Sequence, residues 1–98
     1  MEISKTVENT VMNVVLDGRL DTLTAPVLDA ELRDSLGEIT ELVFDFAKLA
    51  YISSAGLRVL LTAQKVMNKQ GEMLIRNVNS EVKEVFDVTG FSDILKIV

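Results

Sequence analysis

The chain has 98 residues, a formal net charge of -5 from 15 acidic and 10 basic side chains, and neither histidine nor cysteine. This length suits one domain with one core, and we predict a single domain over residues 1–98. The missing residue types exclude a histidine general base, a thiol nucleophile, a disulfide framework and the commonest zinc ligands, so we expect no catalytic residue, metal or cofactor. The acidic balance and the scattered basic residues also argue against nucleic acid as a partner.

The amino terminus lacks a basic segment followed by an apolar one, and no apolar run approaches the roughly 20 residues of a membrane-spanning helix. We therefore expect a cytoplasmic protein without membrane contact, monomeric when free. Apolar residues make up 48% of the chain and aromatic residues only 5%. Such a composition is typical of the aliphatic core of a sheet packed against helices.

The first half of the chain predicts a hairpin, a helix and a central strand. A weak strand with alternating apolar residues precedes a β-branched run over Val11–Leu16, with Glu8-Asn9 as the predicted turn. Thr24 is the predicted hydroxyl cap of a helix with leucines every four residues, and Gly37 ends that helix. The apolar run within Ile39–Phe46 predicts a central strand covered on both faces.

The second half of the chain repeats the alternation of helix and strand. Helical spacing over Ser54–Gln70 predicts the longest helix, with Gly71 as its stop, and a strand follows over Glu72–Val78. Ser80 is the predicted cap of a helix that closes at Thr89-Gly90, and a short turn and an edge strand end the chain. The order is ββαβαβαβ. It predicts an α/β sandwich in which a mixed sheet of about four or five strands packs against helices on one side or on both.

The segment Ser53-Ser54-Ala55-Gly56 leads from the central strand, through a predicted short loop, into the longest helix. Backbone N–H groups in the first turn of a helix lack intrahelical partners and carry partial positive charge, so an anion there is stabilised. A phosphate on a first-turn serine would lie beside these donors, and Gly56 would let another surface approach the backbone closely. Local chemistry alone favours a plainer interpretation, in which a serine only caps the helix and Gly56 only packs.

Five short motifs spread over nearly the whole chain change this balance. They are Gly18-Arg19-Leu20-Asp21, Asp45-Phe46, Ile52-Ser53-Ser54-Ala55-Gly56-Leu57-Arg58-Val59-Leu60, Gly71-Glu72-Met73 and Val85-Phe86-Asp87-Val88-Thr89-Gly90. Together they closely resemble the STAS domain of bacterial anti-sigma factor antagonists. The resemblance implies a partner switch: the unphosphorylated domain binds a serine kinase that is also an anti-sigma factor and so frees the sigma factor. Phosphorylation by the kinase releases the domain, and a serine phosphatase resets it.

The resemblance also implies which residues act. By position, the phosphorylated residue is Ser54, two residues before Gly56, with Ser53 as the alternative. Many members of the family have an aspartate where this chain has Ser53, and a serine or threonine where it has Ala55. The partner-binding surface implied by the resemblance comprises Asp21, Thr22, Ser53, Ser54, Ala55, Gly56, Leu57 and Arg58.

Other interpretations of the same residues stay open at this stage. Asp21 also fits a turn that leads into a helix, in which Asp and Thr side chains form hydrogen bonds with nearby backbone groups. The module could serve a partner switch whose output is not transcription, such as control of a phosphatase, a cyclase or a stress-signalling complex. A small enzyme using Asp45, Lys48 or Ser54 is a further class, disfavoured by the absence of histidine and cysteine. A structural subunit that associates through its edge strands is the last.

Overall fold

Five strands and three helices alternate along the chain in the predicted order. The computed structural model describes residues 1–98. The elements are β1 (Glu2–Glu8), β2 (Val11–Leu20), α1 (Ala25–Ser35), β3 (Glu41–Ile52), α2 (Ser54–Gln70), β4 (Glu72–Arg76), α3 (Ser80–Thr89), a single 3-10 turn (Phe91–Asp93) and β5 (Lys96–Ile97). The predicted α/β class, the element order and the limits of α2 are confirmed.

The five strands form one mixed sheet in the order β1-β2-β3-β4-β5. The β1 strand is antiparallel to β2, and every other pair of neighbours is parallel. Right-handed crossovers that all step in the same direction across a sheet place their helices on one face. Along β2 the side chains of Met12, Val14 and Leu16 are buried beneath the helices, while Asn13 between them is exposed.

The helices cover one face of β3, so the prediction of cover on both faces holds only for Val43 on the other face. Leu42 and Phe44 point into the core under the helices, whereas Val43 points to the opposite face and is buried there, with 7% of its surface exposed. Its neighbours on that face, Glu41 and Asp45, are half-buried. Phe46 continues the buried row and packs against Phe86 of α3, with ring centroids 6.4 Å apart. A single apolar core therefore lies between one face of the sheet and the helices.

The β3 strand also continues to Ile52, where the sequence predicted a loop. Its pairing with β4 stops at Asp45, and beyond that point it pairs with β2 alone. Two register shifts in this stretch insert extra β3 residues opposite β2. Such bulges break the alternation of apolar side chains, so the extension carries no strand signal in the sequence. The paired β2 strand likewise runs past Gly18 to Leu20.

One predicted helix cap is at its predicted position and the other is wrong. Thr24 is the N-cap residue of α1 as predicted, but its backbone angles are helical and its hydroxyl makes no capping bond. That hydroxyl instead accepts the N–H of Asp21 at 2.8 Å. At α3 the cap is Asn79 and not Ser80. Asn79 has extended backbone, and its Oδ1 accepts the N–H of Val82 at 2.8 Å.

Two strand boundaries lie close to their predicted positions. The hairpin turn falls on Asn9-Thr10, one residue later than predicted, because Glu8 pairs with Val11. Asn9 adopts a left-handed backbone with φ 57°, which asparagine tolerates. The β4 strand ends at Arg76 and not at Val78, since Asn77 also turns left-handed, with φ 60°.

Gly71 gives a test of how tightly the end of α2 is fitted to the sheet. A Cβ atom there would lie 1.8 Å from the carbonyl oxygen of Thr40. We expect Gly71→Ala to lower the free energy of unfolding by at least about 2 kcal/mol, because backbone must move to admit the methyl group. Gly37→Ala is the matched control, as nothing lies within 4 Å of its Cβ position. Urea unfolding of both variants measures this, and equal stability of the two would contradict it.

Candidate functional site

The ends of β2 and β3 position the segment singled out in the sequence. Leu20 and Ile52 are paired as the last residues of these two strands. The N–H of Ser53 donates to the carbonyl oxygen of Leu20 at 2.9 Å, which closes the ladder. The two chain segments that follow, one beginning at Asp21 and the other at Ser53, therefore leave the sheet side by side. The structure brings the two predicted parts of the surface together.

The two adjacent serines differ in what their hydroxyl groups do. Ser53 has extended backbone and is the N-cap of α2, where its Oγ accepts the N–H of Gly56 at 3.4 Å and its carbonyl oxygen accepts the N–H of Leu57 at 2.9 Å. Its side chain is half-buried. Ser54 is the first residue of α2 and is exposed, and its hydroxyl makes no hydrogen bond to the protein. Of these two hydroxyls, only that of Ser54 is unengaged and open to solvent.

Gly56 is a packing residue beneath this surface. A Cβ atom at Gly56 would lie 2.7 Å from Cγ of Leu20 and 2.9 Å from Cγ1 of Ile52. The expectation that Gly56 opens the backbone to another surface is wrong, because side chains of the sheet already occupy that space. Leu57 is buried as well, with 4% of its surface exposed. Both residues hold the start of α2 against the strands and face away from an approaching protein.

Asp21 builds the turn between β2 and α1. Its Oδ1 accepts the backbone N–H groups of Leu23 at 3.0 Å and Thr24 at 3.1 Å. The bond from the N–H of Thr24, with smaller help from Leu23 and the nearby Arg19, holds the pKa of Asp21 below its usual value. Asp21 is thus ionised at neutral pH. The structural role weighed from the sequence is present, and the same carboxylate lies on the segment next to Ser53.

The remaining residues of the predicted surface vary in exposure. Thr22 and Arg58 are exposed and Ala55 is half-buried. Leu23, beside Asp21, has 85% of its surface exposed, which makes it the most exposed large apolar residue of the chain. The chain therefore exposes one large apolar side chain beside the predicted surface.

Sequence reasoning missed a neighbouring pair on the extended part of the sheet. Arg19 and Tyr51 are paired across β2 and β3, and the guanidinium carbon of Arg19 lies 4.2 Å from the centroid of the Tyr51 ring. This is a cation–π contact at the surface. The pair could not be found from the sequence because both residues lie in the stretch taken for loops. Strand pairing alone brings them together.

The carboxylate considered for a small enzyme is engaged elsewhere. Asp45 Oδ1 accepts the N–H of Ala47 at 2.9 Å and the side-chain amide of Asn77 at 3.1 Å. These bonds hold its pKa below the usual value, so it is a poor proton acceptor. Asp45 thereby anchors the bulge of β3 and the end of β4. No cluster of acidic residues could hold a metal ion, and no helix is both long and apolar enough to cross a membrane.

Comparison with known proteins assigns this chain to one family. The family profile described as the STAS domain matches residues 2–98. A putative anti-sigma factor antagonist, BtrV of Bordetella bronchiseptica, is 40% identical over 85 residues, which cover 84% of this chain and 72% of the relative. The anti-sigma-B factor antagonist of Bacillus subtilis is 32% identical over 87 residues, covering 88% and 80% of the two chains.

A solved structure agrees with these relatives in fold. The crystal structure of an anti-sigma factor antagonist from Mycobacterium paratuberculosis superposes with a TM-score of 0.88 at 18% identity, over 98% of this chain and 83% of that one. The chain therefore belongs to the STAS domain family, and its relatives are anti-sigma factor antagonists. The resemblance inferred from the five sequence motifs is confirmed.

The lowered pKa of Asp21 predicts a specific pH dependence. Since the folded-state pKa lies below the unfolded value of about 3.9, the carboxylate stabilises the fold above that pH. The contribution is lost as the pH falls through the folded-state pKa. We expect Asp21→Asn to lower the urea midpoint at pH 7, and the difference from wild type to shrink below about pH 3.9. If the difference in urea midpoint between Asp21→Asn and wild type does not vary with pH, the loss of stability does not come from the charge of Asp21.

Proposed function

We propose that this chain is an anti-sigma factor antagonist that acts as a phosphorylation-controlled partner switch. In the unphosphorylated form it binds a serine kinase that is also an anti-sigma factor, and the sigma factor is freed. Phosphorylation of Ser54 by that kinase ends the complex. The observation that carries the proposal is the exposed, unengaged hydroxyl of Ser54 at the first position of α2, in a chain whose relatives are anti-sigma factor antagonists.

The contrast between the serines supports Ser54 over Ser53 as the acceptor. A kinase must bring the serine oxygen to the terminal phosphate of its nucleotide, and Ser54 can be approached from solvent. Ser53 is half-buried and its Oγ already accepts the N–H of Gly56, so its hydroxyl is less open to a kinase than that of Ser54. We therefore assign the phosphate to Ser54.

The start of α2 is suited to carry this phosphate without a change of fold. The first turn contains no acidic residue, and the N–H groups of Ser54 and Ala55 lie ahead of the intrahelical ladder. A phosphate carries about -1.5 to -2 charge at pH 7, and a helix N-terminus stabilises a negative charge by about 0.3–1 kcal/mol. The helix thus tolerates the new charge, while a partner surface that fitted a neutral hydroxyl does not.

The surface around Ser54 supports a protein as the partner. Thr22 and Arg58 are exposed and line one cavity with Ala55, the residue after the serine, and Leu23 exposes an apolar side chain beside Thr22. Protein interfaces use both kinds of contact, polar and apolar. We propose that Asp21 and Ala55 complete this surface, and that Gly56 and Leu57 support it from below. The names of the relatives favour a sigma factor, and hence transcription, as the output.

The remaining parts of the proposal follow from the same scheme. The domain has no catalytic activity of its own, because its role is to be bound and modified. A serine phosphatase returns it to the binding form. We propose that the switch operates in the cytoplasm, where the kinase and the sigma factor act, and that the free protein is a monomer of one domain.

Ser54→Ala tests the proposal directly. We expect this variant to bind the kinase and to stay bound in the presence of ATP, because the acceptor hydroxyl is gone, so the sigma factor remains free. Ser54→Asp should bind at least about tenfold more weakly, since a fixed negative charge opposes the contact. Intact mass measurement after incubation with kinase and ATP, together with titration of the complex, gives both results.

Ser53→Ala is the matched control for that experiment. It removes the cap, and we expect it to lower the free energy of unfolding by about 1 kcal/mol while phosphorylation proceeds to completion. Stoichiometric phosphorylation of Ser54→Ala, with none of Ser53→Ala, would move the acceptor to Ser53 and overturn the assignment.

A further inference from the structure

A groove runs between α1 and α2 and begins at the surface just described. Its first part, with a volume of about 290 Å3, is lined by residues that include Thr22, Ala55 and Arg58. Its second part, of about 260 Å3, has a floor of apolar side chains from both helices and includes Leu32 and Val66. Four residues line both parts, so the groove is continuous: Asp29, Arg33, Val59 and Thr62.

The groove combines an apolar floor with one uncompensated cation. Leu32 and Val59 are buried in the floor, and Val66 at its side has 37% of its surface exposed. Arg33 pairs with Asp29 in the same helix, with Nε and Oδ2 2.9 Å apart, so these charges cancel. Arg58 is exposed and forms no ion pair. In a chain of net charge -5, this end of the groove is locally positive.

We propose that the groove between α1 and α2 receives an apolar segment of the kinase partner, and that a carboxylate on that segment pairs with Arg58. The identity of the partner rests on the proposed function. The groove is continuous with the surface around Ser54, and the unpaired Arg58 gives that end a positive charge that a carboxylate of the segment complements. The apolar floor favours aliphatic side chains of the bound segment. The guanidinium of Arg58 favours a carboxylate on that segment, because the one carboxylate that lines the groove, Asp29, is already paired with Arg33.

The position of Arg58 also connects the groove to the phosphate. Arg58 follows Ser54 by four residues in α2, so the two side chains lie on neighbouring turns of one helix face. An acidic group placed N-terminal to a cation at this spacing is the favourable order. When Ser54 carries phosphate, Arg58 pairs with the phosphate within its own helix. The partner's carboxylate then loses its counter-ion at the moment the new charge repels it.

A binding experiment tests occupancy of the groove. The serine kinase of the proposed function is titrated against unphosphorylated wild type, Arg58→Gln and Val66→Gln. Each substitution should weaken binding by at least about fivefold. Lys65→Gln removes an exposed cation of α2 that does not line the groove, and Val88→Gln removes an exposed valine of α3. Both controls should bind within about twofold of wild type. Wild-type affinity of Arg58→Gln and Val66→Gln would overturn the docking site.

Self-association is the competing occupant and is measured in the same samples. Sedimentation of wild type and Val66→Gln without kinase reports whether a second copy of the chain fills the groove. A wild-type dimer that Val66→Gln converts to monomer would overturn the assignment to the kinase. Monomers in both cases leave the groove open for the partner and support the proposal.

A second experiment tests the exchange of counter-ions without any partner. Phosphoserine is incorporated at position 54 during synthesis, and 31P NMR follows its second ionisation, whose ordinary pKa is about 6. Arg58→Gln should raise this pKa by about 0.3, because the pairing cation is lost, whereas Lys65→Gln should leave it unchanged. The carboxylate of Asp21 and the cation of Arg19, on the adjacent segment, are common to all three proteins and cancel in the comparison.

The two experiments separate failure of this inference from failure of the proposed function. If no kinase binds the chain, the phosphoserine titration still decides whether Arg58 is the counter-ion. An unchanged pKa in Arg58→Gln would overturn that role. If the kinase phosphorylates Ser54 and binds Arg58→Gln and Val66→Gln as tightly as wild type, the proposed function is supported and the groove is not the docking site.

Discussion

The contact of Gly56 with the ends of two strands is the constraint on which the site depends. The start of α2 can rest on Leu20 and Ile52 only because position 56 has no side chain. This close approach places the first turn of the helix directly over the end of the β2–β3 ladder. It also fixes where Ser53 and Ser54 stand relative to the Asp21 turn. The display of one serine hydroxyl is thus a result of core packing.

The elements of the fold could be predicted where their apolar residues recur with a regular spacing. The α2 helix was located to the residue because its apolar spacing is regular and Gly71 ends it. The extension of β3 to Ile52 was missed because bulges disrupt the alternation that identifies a strand. The cap position was correct at Thr24, where the hydroxyl makes no capping bond, and one residue late at Ser80, because a hydroxyl in the sequence does not reveal the backbone angles that decide its use.

The sequence predicted where the site lies along the chain, but not how its side chains are arranged in space. Short motifs located Ser54, but they could not distinguish its free hydroxyl from the engaged one of Ser53, which differs by backbone conformation. The pairing of Arg19 with Tyr51 and the groove along α1 both require tertiary structure. Asp21 illustrates how the two levels meet. Its carboxylate closes a turn that begins where the backbone of Leu20 bonds to Ser53.

The cap at Ser53 has a consequence for how quickly a signal can pass through the protein. Since the hydroxyl of Ser54 takes no part in the hydrogen bonds of the helix, a group can be added or removed there without breaking any of them. In the switch proposed above, both forms therefore share one scaffold, with no refolding step between them. In that scheme the enzymes that act on the serine set the time course of the response, and the fold keeps no record of the previous state.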